Sequence, residues 1–332
     1  MEIRKLQLIG GSSYMISLPK SWVRENNLSQ GDELIVQVDR CFVKIFPKKN
    51  ADDVFRVKVN EIPSVDDRFL RRFIYALYIQ GPDEIVIEDT LSPKVITKLG
   101  EIVRDLIGME IIDVSDRRVV MKCLTASDFD IEGVIRRMGQ IILEMIDVLE
   151  EFFKSRNPSS LSVIPKLEEE ADRFYLLAVR LEHRLLRDLS CPAKWNEMKK
   201  LMGLRIVAKL LEKIADSLYD ASEFAASVGG DVLPILLDLR RVFKIVLDSY
   251  FKGNVVECEG GIEMAEELEE SIMRARSVDK GVPCNLVLES LLEACRHVKS
   301  IGEIAFNRAV RESVGHAELP RGSSGGVGGQ KR

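Results

Sequence analysis

Glu212, Asp216 and Asp220 recur four residues apart in LLEKIADSLYDASE (residues 210–223), with Glu223 three further on. A four-residue step stacks side chains one turn apart on one side of an α-helix, so these carboxylates form a ladder. Leu211, Ile214, Leu218 and Ala221 fall on the other side, which lets the ladder ride on a helix that packs. Carboxylates at this spacing repel one another and mildly oppose the helix, yet they can also converge on one hard cation with an all-oxygen shell such as Mg²⁺, Ca²⁺ or Mn²⁺. A solvated outer face would explain one such ladder; recurrence favours a site. Glu168 and Asp172 repeat the step in LEEEADRFYLL, Glu266 and Glu270 repeat it in EELEESIMRAR, and Glu303 follows in SIGEIAFNRAVRE. The expected metal set is Glu168, Asp172, Glu212 and Asp216, with Asp220 as a reserve ligand one turn on. Glu266, Glu270 and Glu303 make a weaker second set, because Lys299 stands four residues before Glu303 and would repel a cation.

Read as a longer string, LLEKIADSLYDASEF resembles the ERIGDHAxNIAE-type motif of the PhoU family of phosphate-uptake regulators. The resemblance covers roughly residues 126–314 and is stronger in the first half. It implies two three-helix bundles and metal clusters held by ExxxD motifs, and it adds iron or zinc, with bridging water or phosphate, to the cations above.

Charge is unevenly spread. Residues 1–50 hold 8 Lys and Arg against 5 Asp and Glu, whereas the remainder holds 40 against 48, so a basic head precedes an acidic body and is expected to meet an anion. The head reads as strand, short helix and hairpin: Tyr14, Ile16 and Leu18 alternate with polar neighbours, Pro19 suits a first helical position, and Gly31-Asp32 turns into ELIVQVDRCFVKIF. Fifty residues with so few apolar side chains enclose a marginal core, and a dimer would solve that. Leu18-Pro19, Arg24, Leu28 and Gly31-Asp32 follow the GQxxIPxxxRxxLxxxxGD pattern, so the head resembles the AbrB/SpoVT family, which implies an interlaced dimeric DNA-binding barrel. Gly10-Gly11-Ser12-Ser13 departs from the usual G-Q pair, so base preference does not transfer. Arg4, Lys5, Lys20 and Arg24 are the cations expected against DNA phosphates, where they supply charge and register. A head that only dimerises is the competing reading.

The elements that must position these groups follow from periodicity. The fold class is multidomain and mainly α: an AbrB-like head (1–50), an α/β connector (51–125) reading as βαβαββ, a PhoU-like six-helix domain (126–314), and a Gly/Ser-rich disordered tail (315–332). In the connector, Ser92-Pro93 opens a helix and Gly108 closes it. Helices are expected near 128–156, 162–190, 195–228, 232–252, 257–277 and 284–313. Seven acids without a base between Glu257 and Glu270 mark the fifth as a solvated acidic face.

Several chemistries lack support. No strand is followed by a Gly-rich phosphate loop, and no nucleophile elbow or HExxH occurs. His183, His297 and His316 form no ExxH step with the ladders, against a ferritin-like di-iron oxidase. Six scattered cysteines without a CxxC pair read as reduced core residues. No apolar run reaches a membrane span and MEIRKLQ lacks a signal-peptide core, so a cytoplasmic protein is expected. The expected function is a DNA-binding regulator of phosphate uptake, dimeric or larger. The alternative is an adaptor that binds the phosphate transporter or another regulator, and a carboxylate-metal enzyme is third.

Overall fold

The computed structural model describes residues 3–11, 13–38, 43–48, 54–124, 130–188, 195–278 and 281–314. Cys41, Cys191, His316 and the expected tail lie outside them. The chain divides into two compact units, Met1–Phe55 and Arg56 onward.

The head unit holds two antiparallel hairpins with a short helix between them. β1 (Gln7–Ile9) pairs with β2 (Ser13–Met15) through Gly10 and Gly11, whose φ of 61° and 75° lie where a Cβ would clash. Sequence reading placed one strand here; the hairpin's first arm has no alternation to reveal it. Helix α1 (Lys20–Glu25) starts one residue later than expected, with Pro19 just before its first turn and not in it, and β3 (Leu34–Val38) pairs with β4 (Val43–Pro47). Among the described residues of this unit only Pro47 is buried; Tyr14 is 71% and Val38 75% exposed.

The second unit opens with β5 (Arg56–Val59), α2 (Asp67–Ile79), β6 (Glu84–Ile87), α3 (Pro93–Arg104), β7 (Met109–Ser115) and β8 (Arg118–Cys123), the expected βαβαββ order. The sheet runs β5-β6-β8-β7, with β5 and β6 parallel and the other pairs antiparallel. Leu70, Ile74 and Tyr78 of α2 and Leu99 and Ile102 of α3 pack on Ile85, Ile87 and Met121 of the sheet. Ser92 caps α3 as expected, but the helix stops at Arg104, before Gly108. There Asp105 accepts hydrogen bonds from Tyr75 (2.7 Å) and Arg71, and the Tyr78 hydroxyl donates to the Ile107 carbonyl (2.8 Å), which turns the chain early.

Six helices follow: α4 (Ile131–Ser155), α5 (Ile164–Asp188), α6 (Trp195–Ala225), α7 (Leu233–Lys252), α8 (Val255–Arg276) and α9 (Val282–Ser313). The first three pack on one another and so do the last three, giving two three-helix bundles joined chiefly by α6 on α9 and also by α4 on α7. Ile135, Met138, Ile142 and Met145 bury the apolar stripe of α4. A Cβ on Gly139 would lie 2.3 Å from Leu247 Cδ2, so glycine is what lets α4 approach α7. Gly253 ends α7 in the left-handed region, and the Asn254 side chain accepts from the amides of Val256 and Glu257 to start α8.

α5 also joins the bundle to the α/β layer. Arg180, 1% exposed, lies 4.7 Å from the Tyr78 ring centre and donates to the carbonyls of Tyr78 (2.8 Å) and Pro82 (2.6 Å). One turn on, Arg184 pairs with Asp83 at 2.5 Å. Gly81 sits in this seam at φ 84°, where a Cβ would fall 2.7 Å from Arg184 Cγ.

Candidate metal centre and nucleic-acid face

The first ladder forms between α5 and α6. Glu168 and Asp172 on α5 and Asp216 on α6 each offer a carboxylate oxygen, and these oxygens lie within 4.8 Å of one another. Both helices expose enough of this seam to leave the three half-buried, while Leu167, Ala171, Leu211, Ile214 and Ala215 bind the backbones into the core. Glu212 stands beside the triad at 8% exposure, and Asp220 lies exposed one turn beyond.

Burial, then the field of Asp172, then that of Asp216 push Glu168 up to about 7. Burial, then Glu212 and Asp216 push Asp172 up to about 6, against the opposing fields of Lys209 and Lys213. Asp220 is raised by burial and then by Asp216, Glu223 and Glu293. Gathered carboxylates that resist ionisation are what a cation would relieve.

Sequence reading passed over the cations of the site. Lys213 donates to Asp216 at 2.6 Å and lies 3.7 Å from Glu212. The Lys209 ammonium is 2.6 Å from Glu212 Oε2 but off its hydrogen-bonding direction, so that buried oxygen still lacks a donor. Once Glu168 and Asp172 are ionised, the four carboxylates outnumber the two ammonium groups of Lys209 and Lys213 by two charges, which one divalent cation would balance. Oxygen donors at this spacing suit Mg²⁺, Ca²⁺ or Mn²⁺. His297 on α9 was also set aside; it feels Glu293, Glu212 and Asp216, although burial holds it below its ordinary pKa. Its approach is tertiary, through α6 on α9, and no local spacing could have shown it.

At the second ladder, Glu266, Glu270 and Glu303 are all exposed, and Glu270 lies 3.5 Å from Arg274 on its own helix. Lys299 reaches Glu269 (2.7 Å), which Arg296 also contacts (2.9 Å). The Glu269 hydrogen bond first, and then the fields of Glu269, Glu266 and Glu303, raise the Lys299 pKa. An ammonium group therefore occupies the place a cation would take. Among the described residues no other group of His, Cys, Asp and Glu gathers as the first triad does.

On the head, Arg4, Lys5, Lys20 and Arg24 are all exposed, Lys20 and Arg24 one turn apart on α1. Basic side chains on an open face can contact phosphates without reading bases.

A helical double bundle with a gathered carboxylate site, preceded in sequence by an α/β layer and a small β-hairpin head, makes this a multidomain, mainly α protein. Residues 135–225, which contain every member of the first ladder and none of the second, match the PhoU domain family. Residues 7–53 match the family described as antidote-toxin recognition MazE, bacterial antitoxin, a domain of AbrB-like kind. The chain thus carries a MazE/AbrB-like domain and a PhoU domain, both from regulatory families and not enzymatic ones. No curated protein matches the chain. No helix among the described residues is long and apolar enough to cross a membrane.

Proposed function

We propose that this protein is a DNA-binding regulator of phosphate uptake whose PhoU domain responds to a metal held by Glu168, Asp172 and Asp216. The reading is carried by the convergence of these carboxylates from two helices inside the PhoU-matched stretch. Asp216 engages the cation in competition with Lys213, and Glu212 lends its buried charge beside them. The head would bind DNA as a dimer, since one copy leaves its apolar residues uncovered. Signalling between them is linkage: the metal state or a bound partner must favour one arrangement of the heads over another. That exposed surface equally fits a head that only dimerises, with the bundle acting as an adaptor for a transporter or regulatory protein.

The test begins with elemental analysis of the purified protein and thermal melts with Mg²⁺, Mn²⁺, Ca²⁺, Fe²⁺ or Zn²⁺, each with and without phosphate. Retained metal or a melting shift supports the site. No metal and no shift would leave the ladder a solvated face. Binding to its own promoter or to promoters of phosphate-transport genes at low salt decides between regulator and adaptor, the adaptor reading standing if neither is bound.

A further inference from the structure

Lys213 differs from the other ammonium groups at the two ladders in how it is held. Its Nζ donates to Asp216 (2.6 Å), a member of the triad, and lies 3.7 Å from Glu212 Oε1; among the described residues these are its ion pairs. Both partners stand on its own helix, and its side chain is 43% exposed. Rotation about its own side-chain torsions therefore frees it, with no movement of α5 or α6. Lys209 stands 2.6 Å from Glu212, has no ion pair to the triad among the described residues, and lies 4.7 Å from the ring centre of Tyr175 on α5. At the second ladder Lys299 of α9, 26% exposed, reaches across to Glu269 of α8, which Arg296 also holds. Beside Lys213 the Glu212 carboxylate, 8% exposed, keeps one buried oxygen without a donor. Buried polar atoms ordinarily have a partner, so the seam calls for positive charge in a place that neither lysine fills.

We propose that Lys213 is the moving part of the metal response: its ammonium closes the ladder in the metal-free state and leaves Asp216 for solvent when a divalent cation is held there. This rests on the reading of Glu168, Asp172 and Asp216 as a metal site, and adds how occupancy of that site is regulated and reported. Lys213 sets the threshold, because its ion pair must break before Asp216 can ligate and because its charge repels an approaching cation. Lys213 also turns occupancy into a change of surface, since its released ammonium stands on the face of α6 in the metal-bound state alone. A partner that meets that charge binds the two states unequally, which is what linkage requires. Lys299 cannot serve in this way, because its ion pair ties α9 to α8 and its departure would leave Arg296 on the same carboxylate.

Isothermal titration of chelator-treated full-length protein with Mn²⁺ at about pH 8, where Glu168 and Asp172 are largely ionised, tests the threshold. Lys213→Met keeps the stem and removes the charge, and should tighten binding at least about fivefold. Lys213→Arg should bind no tighter than wild type, and Lys209→Met should gain less than Lys213→Met. Labelling of wild-type lysines with acetic anhydride, read by peptide mass spectrometry, tests the release: modification of Lys213 should rise several-fold on addition of Mn²⁺, and that of Lys299 should not. Equal affinity of wild type and Lys213→Met, an equal gain from Lys209→Met, or Lys213 labelling that stays flat while Mn²⁺ binds would overturn the proposal and leave the metal reading standing. No binding by wild type or by any variant would instead remove the metal site, and the proposal with it.

Discussion

Glu168 and Asp172 retain protons at higher pH than unfolded carboxylates, which titrate near 4. Because the folded pKa values are the raised ones, about 7 and about 6, their contribution to stability is fully present below about pH 4 and is lost as pH rises through 6 to 7. The metal-free protein should therefore lose melting temperature from this site between about pH 5 and pH 8. Metal affinity should move the other way, since the ligands must be ionised. Calorimetry of chelated protein checks this against Asp172→Asn with Asp216→Asn, whose slope should be shallower; equal slopes would sink the account. The same variant should abolish metal-dependent stabilisation, which for wild type reaches about 2.7 kcal/mol at a hundred times the dissociation constant. The four-residue steps made this ladder legible in the sequence. Lys209 and Lys213 were not legible, because a lysine three residues from a carboxylate on one helix looks the same whether or not a second helix brings more carboxylates beside it. Glu269 was hidden between Glu266 and Glu270, although three residues from Glu266 place it on an adjoining face that α9 covers.

At the scale of elements, α5 carries the ligands Glu168 and Asp172 at one end and the Arg180 and Arg184 seam at the other. Arg180→Met would keep apolar volume but strip two buried carbonyls of a charged donor. Hydrogen bonds to charged groups contribute about 1.5–3 kcal/mol each, so a loss of roughly 3 kcal/mol or more is expected. Arg241, largely exposed and 3.8 Å from Asp238, is the contrast: its replacement by alanine should stay within about 0.5 kcal/mol. Urea unfolding measures both, and similar midpoints for the two variants would contradict the seam's role. Helix positions were legible because each apolar stripe is long and each break is marked, as at Gly253-Asn254. The α5 seam was not legible, since Arg180 is buried by an α/β layer about a hundred residues earlier in sequence.

At the scale of the whole molecule, among the described residues the two cores of the second unit are built from that unit's own side chains, whereas the head buries only Pro47. Deleting residues 1–55 should therefore lower the mass found by light scattering while leaving the helical circular dichroism and its cooperative melt in place. Unchanged mass would move the dimer interface to the bundle or the α/β layer. Assembly also sets the salt dependence of DNA binding. Each phosphate contact contributes about 0.9 to the slope of log affinity against log salt, and a dimer presents every contact twice. Lys20→Ala alone should then flatten the slope by about 1.8, and Lys20→Ala with Arg24→Ala by about 3.6, if both heads touch the duplex together. The loss should be similar on unrelated sequences, because exposed cations on α1 meet the backbone and not base edges. A slope change near 0.9 per substitution would mean that one head binds at a time. An unchanged slope would remove α1 from the DNA face and leave the head as a dimerisation module.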